Sequence, residues 1–182
     1  ASGNDEDGIY INCGWSCDTV TGDVTFTRVT ASGNGDVGIY LKNVTGDVTF
    51  TDVTGTGNTN QVIEIRYVTG DVTFTDVTTT GLGSGHHGNS GIYLTDLTGD
   101  LTFTDVTATD SWNQGIMVQG PVTGNVTFTR VTASGNSDEG IHVRNVTGNV
   151  TFTDVTATGN GGSGAIHTDI VTGNVTYTDV TA

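Results

Sequence analysis

The string TG-[DN]-[VL]-T-[FY]-T occurs seven times, with its glycine at Gly22, Gly46, Gly70, Gly99, Gly124, Gly148 and Gly173. The spacings are 24, 24, 29, 25, 24 and 25 residues. Repetition at this period makes each repeat a unit that cannot bury its apolar face alone, so stability must come from stacked neighbours. Propeller blades need about 40 residues, and leucine-rich repeats need a different apolar pattern. Three short strand-like segments and two glycine-rich turns per repeat instead fit one coil of a β-solenoid. Seven such coils at about 4.8 Å make a rod of roughly 35 Å.

Val24-Thr25-Phe26-Thr27 alternates with a period of two, which puts Val24 and Phe26 inside and the threonines outside. Stacking predicts one internal aromatic column of Phe26, Phe50, Phe74, Phe103, Phe128, Phe152 and Tyr177. A bend follows at Arg28, Asp52, Asp76, Asp105, Arg130, Asp154 and Asp179, and then an inward Val such as Val29 or Val53. Gly38-Ile39-Tyr40-Leu41 buries Ile39 and Leu41 and exposes Tyr40. The pairs Ile63 with Ile65, Ile92 with Leu94, Ile116 with Val118 and Ile141 with Val143 repeat it. Each coil thus sends about five apolar side chains inward. Asn4, Asn34, Asn58, Asn136 and Asn160 recur at one turn, where stacked amides can bond one another.

Composition agrees with an all-β chain: 37 Thr and 23 Val against one Pro and one Met. Twenty acidic residues face five basic ones, net charge −15, which excludes a basic face for nucleic acid. No apolar run reaches the about 20 residues that would insert in a bilayer. The chain starts at Ala1 without an initiator Met or a signal segment, so the expectation is a processed secreted or cell-surface protein, or an excised fragment. Cys13 and Cys17 are a single pair, which at this spacing makes neither a CxxC redox motif nor a four-ligand zinc site, and are expected to form a local disulfide. Their stretch, Ile11 to Gly22, carries six residues more than Leu41 to Gly46, including Trp15, and is expected either to project as a contact element or to form a surface loop without a partner. Five N-x-T sequons, at Asn43, Asn125, Asn145, Asn149 and Asn174, follow from the repeated NVT phrase.

The SGN…GIYL spacing and the inward Val, Ile and Phe columns resemble the right-handed parallel β-helix repeats of pectate-lyase-like proteins. They look still more like the uniform repeats of large bacterial surface proteins. The resemblance covers essentially the whole chain and implies one right-handed parallel β-solenoid over residues 1–182. It leaves function open, because that architecture hosts enzymes, adhesins, phage spikes and filaments. Its polysaccharide-cleaving members carry clustered carboxylates, or carboxylates with a catalytic Arg or Lys. Here Asp23, Asp47, Asp71 and Asp100 become Asn125, Asn149 and Asn174 in later coils, a turn-forming column rather than a catalytic pair. Arg28, Lys42, Arg66, Arg130 and Arg144 suggest no shared site, and no enzyme activity or cofactor is expected. His142 and His167 occupy like places in successive coils but lack an evident third ligand, and His86 and His87 fall in the longest insertion. No metal is expected.

Two surfaces remain. The first is a pair of outward threonine files. One comprises Thr25, Thr49, Thr73, Thr102, Thr127, Thr151 and Thr176, and the other Thr27, Thr51, Thr75, Thr104, Thr129, Thr153 and Thr178. Residues about 6.8 Å apart along a strand and coils about 4.8 Å apart resemble the ice-binding face of solenoid antifreeze proteins. The other surface is the ends, where no cap is evident. Val180-Thr181-Ala182 followed by Ala1-Ser2-Gly3-Asn4 continues the repeat with one surplus residue. The expectation is head-to-tail association with copies of itself through Ala1, Ser2, Gly3, Asn4, Ile9, Ile11 and Trp15 at one end and Val175, Tyr177 and Val180 at the other. A structural filament or stalk is therefore the first functional expectation, an ice-binding solenoid the second, and a carbohydrate-binding adhesin module the third.

Overall fold

Alternation of Val, Phe and Thr is realised as strands throughout the computed structural model, which describes residues 1–12, 19–81 and 89–182. The strands begin with β1 (Ile9–Asn12), β2 (Val20–Thr21), β3 (Val24–Thr30), β4 (Ile39–Thr45) and β5 (Val48–Thr56). They continue with β6 (Ile63–Thr69), β7 (Val72–Thr80), β8 (Ile92–Thr98), β9 (Leu101–Thr109) and β10 (Ile116–Val118). The last are β11 (Val126–Thr129), β12 (Ile141–Val146), β13 (Val150–Thr156), β14 (Ile166–Val171) and β15 (Val175–Thr181). They form two sheets. Sheet 1 runs β1-β4-β6-β8-β10-β12-β14, with β2 beside β4; sheet 2 runs β3-β5-β7-β9-β11-β13-β15. Every pairing is parallel and joins equivalent residues of successive repeats, as Phe50 meets Phe74 and Ile39 meets Ile63. This is the predicted parallel β-solenoid.

Each coil turns through left-handed residues. Arg28, Asp52, Asp76, Asp105, Arg130, Asp154 and Asp179, the predicted bends, have φ between 51° and 56°. Asp enters this region more easily than most residues. A second set bends sheet 1 at Asn43, Tyr67, Asp96, Asn145 and Ile170. The repeated Thr-Gly has a steric cause. At Gly46, Gly70 and Gly99 φ is 145° to 148°, and a Cβ would lie 2.3–2.5 Å from the glycine backbone of the previous coil.

The aromatic column is continuous from Phe26 to Tyr177. Its ring centroids are 4.7–4.9 Å apart and successive planes lie 1–10° from parallel. Around it run the columns of Val48, Val53, Ile63 and Ile65 and their equivalents, all fully buried in the middle coils. Val44, Val68, Leu97, Val122 and Val146 add a buried column that the sequence count missed. Coil five departs slightly: Gly120-Pro121 adds one residue, β10 shortens, and Val122 keeps only single bridges to Leu97 and Val146.

Two polar ladders close the turns. Asn4 Nδ2 donates to Asn34 Oδ1 (2.9 Å), Asn34 Nδ2 to Asn58 Oδ1 (2.8 Å) and Asn136 Nδ2 to Asn160 Oδ1 (3.0 Å). Ser111 takes the amide's place below Asn136, its backbone N–H donating to Asn136 Oδ1. In the Asp/Asn column each backbone N–H donates to Oδ1 of the coil before, from Asp47 onto Asp23 through to Asn174 onto Asn149. Either residue supplies that oxygen, which explains their interchange.

In the first coil Ile11 pairs with Leu41 and Val20 with Val44, so six extra residues intervene as predicted. Cys13, Trp15 and Cys17, and likewise His86 and His87, lie outside the described residues.

Truncating the middle of the aromatic column should be costly. Phe74→Ala should destabilise by about 3–5 kcal/mol, and Phe74→Asp should abolish the cooperative transition followed by circular dichroism. A wild-type melting curve for Phe74→Asp would refute the inward assignment.

Candidate functional site

What the scaffold requires must recur in every coil, so positions that do not recur are where a site can be built. Sheet 2 is uniform outside. Its two threonine files pair in register, Thr25 with Thr49 and Thr27 with Thr51 at one end, Thr151 with Thr176 and Thr153 with Thr178 at the other. Thr73, Thr75, Thr102, Thr104, Thr127 and Thr129 continue them between. Their exposure is uneven, however. Thr25, Thr27, Thr176 and Thr178 are exposed, whereas Thr49, Thr51 and the threonines onward to Thr151 and Thr153 are only half exposed, each flanked by its own equivalents on both sides.

Sheet 1 is not uniform. One outward file reads Tyr10, Tyr40, Glu64, Tyr93, Met117, His142 and His167. The next carries Asn12, Lys42, Arg66 and Thr95, and later Arg144 beside Asp169. Three of the five cations, which the sequence left scattered, thus share a file on one face; Arg28 and Arg130 sit at the bends of sheet 2.

The first half of this face is an aromatic and charged groove. Tyr10 stacks on Tyr40 at 5.1 Å, so Tyr40 is outward as predicted but half covered. Glu64, 5% exposed, pairs with Arg66 Nε, and the Arg66 guanidinium lies over the Tyr93 ring at 5.4 Å. The Tyr93 hydroxyl donates to Gln119 Oε1 at 2.9 Å. Asp7, Asp36 and Asn60 line the groove with them. Burial pushes the Glu64 carboxyl above its ordinary range, the charge of Arg66 offsetting this only in part. Burial raises the Tyr40 and Tyr93 phenols as well. Rings and hydrogen-bonding groups so arranged can stack on and bind a polar ligand.

The second half gathers Gln114, Asp138, Glu139, His142, Ser163 and His167. The two imidazoles stack at 4.6 Å and 4°. His142 Nδ1 lies 3.8 Å from Glu139 Oε2 and His167 Nδ1 lies 3.7 Å from Glu139 Oε1. Gln114 Nε2 donates to Glu139 Oε2 (3.0 Å) and to Asp138 Oδ2 (2.9 Å), and Ser163 Oγ donates to Glu139 Oε1 (3.3 Å). Burial alone would raise the Glu139 carboxyl; hydrogen bonds, that from Gln114 foremost, outweigh it and hold the group below its ordinary range. Burial lowers the His142 imidazole. The sequence foresaw the histidine pair but not its third neighbour. Aligning the residue two before each sheet 1 isoleucine would have found it: Ser90, Gln114 and Glu139 are hydrogen-bonded in that order.

The expected assembly residues divide between the ends of the rod. At one end Ser2 bridges to Ser32 and Gly3 N–H donates to the Ser32 carbonyl, while Ala1 and Asn4 also pair with the coil above; Ile9 and Ile11 are partly buried. At the other, Val175 is 36% and Tyr177 48% exposed, with Val180 partly buried.

Because folding raises the Glu64 value, the folded state binds the proton more tightly than the unfolded chain. The stabilisation this gives is fully present below the unfolded value and is lost as pH rises through the folded one. The melting temperature of wild type relative to Glu64→Gln should therefore fall as pH rises from about 4.5. A difference independent of pH would contradict the buried placement of Glu64.

Residues 7–177 match the family model described as right handed beta helix region. No curated protein and no solved structure matches the chain. Parallel coils paired in register over the matched span are what that description requires, and the chain belongs to the right-handed β-helix family.

Proposed function

We propose that this chain is a structural rod unit, secreted or displayed on a cell surface, that lengthens by coil-on-coil stacking with further copies. The observation that carries this reading is the state of the β14–β15 coil. Val150 and Phe152 are fully covered by the coils that flank them, whereas their equivalents Val175 and Tyr177 keep 36% and 48% of their surface. Ile170, 60% exposed, occupies a left-handed bend that other coils give to Asn43, Tyr67, Asp96 and Asn145. A β-branched residue is the costly choice there, and it extends the open apolar end. β14 and β15 are the last strands of their sheets, and a strand edge of this kind is a template for another parallel coil. Phe26, at the opposite end, is only 6% exposed. A head-to-tail contact joins two different surfaces, here the β14–β15 face of one copy and the β1–β3 face of the next. Net charge −15 keeps the flanks of neighbouring rods apart at low salt. We infer no catalysis: the most buried carboxylate of the groove, Glu64, is already engaged by Arg66.

Sedimentation and electron microscopy over a range of concentrations test the reading. Rods should lengthen with concentration, and Tyr177→Lys or Val175→Pro should shorten them while leaving the circular dichroism of the remaining coils unchanged. Undiminished lengths in both variants, or a dimer that closes and grows no further, would overturn it.

The flat sheet 2 face supports a second reading. Its threonine files run over seven strands in register, on a column whose planes deviate by 10° at most. A regular hydroxyl lattice of this kind fits an ice surface. Purified protein should then show thermal hysteresis that Thr75→Lys and Thr104→Lys remove; none at high micromolar concentration would dismiss the idea.

A further inference from the structure

We propose that Glu139, His142 and His167 form a binding site for one divalent transition-metal ion, with Zn²⁺ the best match. One ligand atom from each residue lies within 4.8 Å of the other two. The Nδ1-to-carboxylate separations of 3.8 and 3.7 Å are close to the about 3.4–3.6 Å between two ligands of an ion held at 2.0–2.2 Å. A second, independent observation points the same way. Both ring nitrogens of His142 are buried and make no hydrogen bond. A neutral imidazole carries one donor and one acceptor, and buried polar groups are ordinarily satisfied. An ion on Nδ1 would employ the lone pair that the fold leaves idle.

The surroundings suit a cation. Glu139, Asp138 and Asp169 face the imidazoles against one guanidinium, Arg144. Gln114 and Ser163 hold the Glu139 carboxylate by both oxygens, the outer contacts that fix a metal ligand in place. Two imidazoles and a carboxylate favour zinc over calcium, which prefers oxygen ligands alone. The His167 side chain, 43% exposed, gives the ion access from solvent and leaves a coordination position open. The stacked rings must tilt from parallel to converge on one ion, a side-chain rotation that leaves the strands in place. His142 lies on β12 and His167 on β14, so the ion would clamp two successive coils together.

Titration of the full-length chain with Zn²⁺ against a chromogenic chelator tests the site, with Co²⁺ absorption as a second reading of the ligand set. One ion per chain is expected, with at least tenfold weaker binding in His167→Ala and in Glu139→Gln. Zn²⁺ should raise the melting temperature of wild type but not of the double variant His142→Ala with His167→Ala. Because His167 is half exposed, its substitution leaves the fold intact and keeps the test decisive. A control carrying His86→Ala and His87→Ala should bind as wild type does. Absence of saturable binding, equal binding in the double variant, or loss of binding in the control would each overturn the proposal.

Discussion

Every coil of this protein depends on the one stacked against it. Parallel strands in register place each side chain about 4.8 Å from its own equivalent, and the chain is composed of residues that tolerate their own company. Phenylalanine lies on phenylalanine at 4.7–4.9 Å, the asparagine amides donate to one another, and threonines line up in files. Aspartate is the exception, since like charges repel. In the column of Asp23, Asp47, Asp71 and Asp100 it sits on exposed turns where water screens it and its Oδ1 accepts from the next backbone N–H, and asparagine serves there equally well.

The same rule explains which parts of the fold could be read from sequence. A residue needed in every coil announces itself by recurrence: the Phe column, the left-handed Asp and Arg bends, the Asn ladder and the Thr files all follow from writing the repeats one above another. The column of Val44, Val68 and Leu97 recurs too, but it abuts the Thr-Gly turn and reads as part of it. The sheet 1 face was the least legible, because no outward residue recurs there through every coil. Arg66 reaches Glu64 within its own strand and Tyr93 in the next, while Glu139 reaches one histidine in its own coil and another a coil later. Such contacts depend on side-chain direction and burial, which the repeat pattern leaves undetermined.

The two sheets therefore divide the work. Sheet 2 and the core are a regular lattice of closely similar rungs. Sheet 1 is a scaffold of equal regularity on which dissimilar side chains are set side by side, first the tyrosines with Glu64 and Arg66, then the histidines with Glu139. Family membership accounts for the lattice, and the non-recurring file individualises this chain.

The central claim is that a coil is only as stable as the neighbours stacked on it. Residue-resolved amide hydrogen exchange measures this directly. The account predicts protection highest in β5, β7 and β9, falling stepwise to β15, with β15 gaining protection as concentration rises and copies stack. Protection in β15 equal to that in β9 in dilute solution, and indifferent to concentration, would contradict it.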